Sequence, residues 1–68
     1  MAFILKENTA EEIKRKYKNG YIAQKLNLSG TYISLILHRK RPVAKHMAYA
    51  FTKVINSEAE INDLFEEI

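Results

Sequence analysis

The spacing of apolar residues changes character several times along the chain. Phe3-Ile4-Leu5 is a short continuous run of strand formers, broken by Lys6-Glu7-Asn8. From Thr9 the spacing becomes helical. Ala10, Ile13 and Tyr17 fall on one face, with Lys14, Arg15 and Lys18 opposite. Thr9-Ala10-Glu11-Glu12 has the form of a capping box, which predicts a first helix that starts after Thr9 and runs to about Lys18. Asn19-Gly20 is a turn, or a stop followed at once by a new N-cap. A short second helix over Tyr21–Asn27 would bury Ile22, Ala23 and Leu26, and Asn27 suits the left-handed residue that ends it.

Ser29 is the natural N-cap of a third helix, with Gly30 and Thr31 in its first turn. Ile33, Ile36 and Leu37 share its inner face, while Thr31, Ser34, Leu35 and His38 share another. Arg39-Lys40-Arg41 follows, and Pro42 can open a fourth helix at its first position. That helix carries an apolar stripe of Ala44, Met47, Ala48, Phe51, Val54 and Ile55 between Val43 and about Asn56. Glu58–Ile68 reads as a closing helix with Ile61, Leu64, Phe65 and Ile68 inward. The expected class is all-α with five helices and a short N-terminal strand or arm. Residues 1–8 would form the arm and residues 9–68 the helical domain. The arm could pair with its equivalent in a second copy, or pack over the first or fifth helix.

Composition narrows the function. A chain of 68 residues has room for one small domain, whose core supplies about 3–5 kcal/mol. The chain has no cysteine, so a disulfide framework, a thiol nucleophile and the common zinc modules are excluded. His38 and His46 have no companion cysteine or acidic cluster, so no metal or other cofactor is expected. No Ser-His-acid trio is suggested, so an enzyme is not expected. No apolar run approaches the ~20 residues of a membrane span.

Charge is the sharper signal. The chain carries 11 Lys plus Arg against 8 Asp plus Glu. Between Ile13 and Ser57 there are ten basic residues and no acid, whereas Glu58–Ile68 holds five acids and no base. So positive a middle segment needs an external counter-charge, and a polyphosphate backbone is the natural one.

Two short helices joined by a tight turn have a known use. A small residue, Ala23, lets the helices approach. Asn27 makes the turn, and Ile33 and Ile36 point back into the core. The other face of the third helix is left free, and such a helix fits the major groove of B-DNA, about 12 Å wide. The stretch from Tyr21 to Ile36 resembles the helix-turn-helix of the lambda-repressor/Cro/Xre family. The likeness continues through Lys40-Arg41-Pro42, Met47 to Ile55 and Asp63-Leu64-Phe65. It implies a lambda-repressor-like five-helix domain in a prokaryotic or phage regulator, working in the cytoplasm at the nucleoid and binding operator DNA as a homodimer.

By position, the resemblance assigns Ser29, Gly30, Thr31, Ser34 and Leu35 to base contact. Lys18, Asn19, Lys25, Tyr32, His38, Arg39, Lys40, Arg41 and Lys45 are assigned to phosphate. None of the base-facing residues is Arg, Asn or Gln, the usual bidentate readers, so modest base discrimination is expected. The rival expectation is a protein-binding modulator, such as an antirepressor or antitoxin. It would retain the scaffold and meet its partner through Phe3, Ile4, Leu5 and Leu35.

Overall fold

The computed structural model describes residues 2–68; Met1, at the head of the expected apolar arm, lies outside the described residues. The order is β1 (Phe3–Leu5), α1 (Glu7–Lys16), α2 (Asn19–Leu26), α3 (Gly30–Leu37), α4 (Lys45–Ile55), α5 (Ile61–Leu64) and β2 (Phe65–Glu67). The protein is therefore mostly α, as expected, but a two-stranded sheet replaces the end of the closing helix.

β1 and β2 pair antiparallel, with Phe3 opposite Glu67, Ile4 opposite Glu66 and Leu5 opposite Phe65. The outer edge of β1 is also occupied. Phe3 and Val43 exchange both backbone hydrogen bonds at 2.8 Å, and the Leu5 carbonyl accepts from Arg39 Nε at 2.8 Å. The Phe3 amide and carbonyl and the Leu5 carbonyl on this edge are therefore already bonded within the chain, which leaves little of it for a second copy. Phe3–Leu5, expected either to pair with a second copy or to pack over the first or fifth helix, pairs instead with β2 and with Val43 of its own chain. The expected boundary between residues 8 and 9 falls inside α1, and Phe3 and Leu5 belong to the core.

Pairing of the strands also moves the helix ends. The Lys6 amide donates to the Leu64 carbonyl at 2.9 Å, and the Lys6 carbonyl accepts from Ala10 at 2.8 Å. The chain leaves the strand directly into α1, so Thr9 lies inside the helix and its expected capping box does not form. α1 stops at Lys16 because Tyr17 turns extended. There the Tyr17 hydroxyl donates to the Ile55 carbonyl at 3.3 Å, and its ring stacks on Tyr21 at 5.9 Å. α2 accordingly starts at Asn19, two residues before the expected start. Pro42 does not open α4: Val43 is held extended by Phe3, and the helix begins at Lys45.

α5 is a single turn, closed by a reciprocal pair of bonds between Glu60 and Asp63. The spacing of apolar residues gives no sign of an acidic cap at this point. Beyond it Phe65 turns extended to join the sheet, and Ile68, expected inward, is exposed.

One core unites these elements. Leu5, Ile13, Ile22, Ile33, Ile36, Leu37, Phe51 and Phe65 are essentially fully buried. Phe51 meets Phe65 edge to face at 5.7 Å. The one buried polar residue among those described, Thr52, donates its hydroxyl to the Ala48 carbonyl at 2.8 Å, so it carries no unmet hydrogen bond.

Candidate nucleic-acid interface

The turn between α2 and α3 follows from one residue. Asn27 adopts the left-handed conformation, φ 58°, which its short polar side chain tolerates. This lets the Leu28 amide reach back to the Ala23 carbonyl at 2.9 Å, satisfying a group the end of α2 would otherwise leave bare. Leu28 then packs against the core and α3 begins at once. Ile33, Ile36 and Leu37 bury the inner side of α3.

Ser29 caps α3 as expected, its Oγ accepting from the Tyr32 amide at 3.1 Å. That contact uses an oxygen lone pair and leaves the hydroxyl proton free to donate outward. Ser29, Gly30 and Thr31 are all exposed. A Cβ added at Gly30 would meet nothing within 4 Å. The outer side of the start of α3, at Ser29, Gly30 and Thr31, is therefore bare. Ser29→Ala should cost about 1 kcal/mol of stability by loss of the cap, measurable by urea denaturation.

Further along α3 the expected contact residues are less free. Ser34 and Leu35 are half-buried. His38 Nδ1 lies 2.8 Å from the Ser34 carbonyl and 3.3 Å from its hydroxyl. A carbonyl only accepts, so Nδ1 donates there and Nε2 remains for an outside partner. Tyr32 is half-buried, with the Arg41 guanidinium 5.2 Å above its ring.

The basic residues divide into two groups. Lys14 and Lys16 pair with Glu11 and Glu12 along α1, at 2.9 and 3.6 Å. The Lys14 ammonium holds the Glu11 carboxyl below its ordinary pKa, first through their hydrogen bond and then by charge attraction. Lys53 bonds to the Ser57 and Ala59 carbonyls. Arg39 is engaged within the fold: its guanidinium bonds Leu5 and Glu66 and lies 3.7 Å from Glu7. The second group has no carboxylate partner among the described residues. It comprises Lys6, Arg15, Lys18, Lys25, Lys40, Arg41 and Lys45, all exposed.

Lys18 is the N-cap position of α2 and Asn19 its first residue. Lys25 sits 5.6 Å over the exposed Tyr21 ring. Lys40 and Arg41 lie in the loop after α3, and Lys45 opens α4. The candidate contact residues thus lie mainly at the exposed start of α3, at the start of α2 and in the loop that follows α3.

Among the described residues, no group of three or more His, Asp or Glu side chains could hold a metal ion. No described helix is long and apolar enough to cross a membrane. No family model, curated protein or solved structure matches the chain.

Proposed function

We propose that the protein is a sequence-specific DNA-binding regulator of the lambda-repressor/Cro/Xre kind. In this reading α2 and α3 form the helix-turn-helix, α3 enters the major groove, and two copies bind operator DNA. One observation carries it: the outer side of the start of α3 is bare and is accompanied by exposed cations that no described carboxylate neutralises. A polyanion supplies the missing counter-charge, and a groove accepts the helix.

Roles divide by reach. Ser29, Thr31 and the Gly30 backbone would meet base edges first, with Ser34 and Leu35 deeper along the helix. Lys18, Asn19, Lys25, Lys40, Arg41 and Lys45 would meet phosphates and set the docking register. The protein-binding alternative needs an exposed apolar arm. Phe3 and Leu5 are buried, and Ile4 and Leu35 are half-buried, so little apolar surface is left there.

Selection of duplexes from a random pool by the purified chain tests the proposal. A two-fold symmetric motif is expected, with log affinity falling against log salt at about −0.9 per phosphate neutralised. Failure to retain any duplex at low salt would rule the function out.

Gly30→Ala separates binding from folding. The methyl has open space and the backbone φ is not in the left-handed region, so stability should rise by about 0.4–1 kcal/mol. Affinity for the selected duplex should fall, because the methyl stands where backbone and DNA approach. A rise in both would place Gly30 away from the DNA.

A further inference from the structure

Arg39 has a left-handed backbone, φ 59°, although it is neither Gly nor Asn. That conformation costs roughly 1–2 kcal/mol for an ordinary residue, so its surroundings must hold it. Three elements do so. Nε donates to the Leu5 carbonyl at 2.8 Å, on the edge of β1 away from β2. Nη2 lies 3.2 Å from Glu66 Oε2 in β2. Nη1 lies 3.7 Å from Glu7 Oε2 at the start of α1. The left-handed turn in turn lets the Lys40 amide return to the Leu35 carbonyl at 3.0 Å. The next residue, Arg41, then lies over Tyr32 of α3.

We propose that Arg39 is a positioning residue for the DNA interface: it clamps the loop after α3 to the sheet and so sets Lys40 and Arg41 beside α3. The proposal rests on the DNA-binding function above. Arg39 acts first as a clamp: its Nε and Nη2 hydrogen bonds tie the loop to Leu5 and Glu66, and a phosphate would meet only the N–H groups of the half-exposed guanidinium that these bonds leave. Glu66, an acid in a DNA-binding protein, thereby supports binding.

The test exploits a reversal of sign. Glu66→Lys adds positive charge and should tighten DNA binding if charge alone decides. As part of the clamp, the same change repels Arg39 and frees the loop. Expected is binding about tenfold weaker, the equivalent of roughly one charge-assisted hydrogen bond. Glu58→Lys makes the same charge change in the exposed turn after α4 and should bind more tightly. Glu66→Gln, a milder change, should weaken binding in the same direction but less, and protects the test if the Lys variant melts early. In the free protein, backbone and ring NMR signals of Lys40, Arg41 and Tyr32 should move in both Glu66 variants and stay in place in Glu58→Lys. Glu66 variants that bind as tightly as the native chain, or that leave those signals unmoved, overturn the clamp. If the native chain binds no duplex, DNA binding itself has failed, and the NMR comparison alone decides whether Arg39 couples the sheet to the loop.

Discussion

Phe65→Ala should leave the chain unfolded at room temperature. Phe65 is buried, meets Phe51 edge to face and stands opposite Leu5 in the sheet. Removing a buried Phe side chain costs about 3–5 kcal/mol, the transfer energy plus the cavity left behind. A domain of this size has about that much stability in total. The variant should lose its cooperative thermal transition and most of its helical circular dichroism. Phe65→Leu keeps most of the apolar volume and should still melt cooperatively, at a lower temperature. A Phe65→Ala variant that melts near the native temperature would mean that the sheet and α4 do not share one core.

Lys40→Ala combined with Arg41→Ala should weaken binding to every duplex by on the order of 100-fold, about tenfold for each charge-assisted hydrogen bond to phosphate that is removed. The loss should be the same for specific and random sequences, because phosphates carry no sequence information. The slope of log affinity against log salt should shrink by about 1.8, two phosphates at about 0.9 each. Thermal stability should fall little, by no more than the roughly 0.5–1 kcal/mol of the exposed Arg41–Tyr32 contact, since both residues are exposed and neither has a carboxylate partner among the described residues. Thr31→Ala should behave differently, changing which duplexes are selected more than how tightly all are held. Fluorescence anisotropy with one selected and one random duplex reads both effects. A loss confined to the selected duplex would make Lys40 or Arg41 a base reader.

Local chemistry is legible wherever a short segment decides its own conformation. Asn27 suits the left-handed position and takes it. Ser29 suits the cap of α3 and forms it. The inner face of α3 follows the spacing of Ile33, Ile36 and Leu37. These outcomes need only residues within one or two turns of each other.

Misreadings cluster where a distant partner intervenes. The Thr9 capping box has the right letters, but the tie between Lys6 and Leu64 starts the helix earlier. Pro42 suits a helix start, but Phe3 holds Val43 extended. Glu66-Glu67 suits a helix end, but Ile4 and Phe3 stand opposite them as strand partners. Of the expected interface, Ser29, Gly30 and Thr31 are exposed, and five of the lysine and arginine positions are exposed and lack carboxylate partners among the described residues. Arg39 reads as one of that set because it adjoins Lys40 and Arg41 in the chain. Nothing nearby in sequence reveals that Leu5 and Glu66 engage it.

By itself the sequence determined the helical spacing, the cap at Ser29, the turn at Asn27 and the separation of basic from acidic segments, because each depends on residue types and short-range geometry. Only the tertiary structure decided that Phe3–Leu5 and Phe65–Glu67 form one sheet, that Val43 and Arg39 bond the outer edge of β1 and that Arg39 is tied to Glu66. Those outcomes depend on backbone groups far apart in sequence finding hydrogen-bond partners, and the side-chain pattern carries no record of which groups meet.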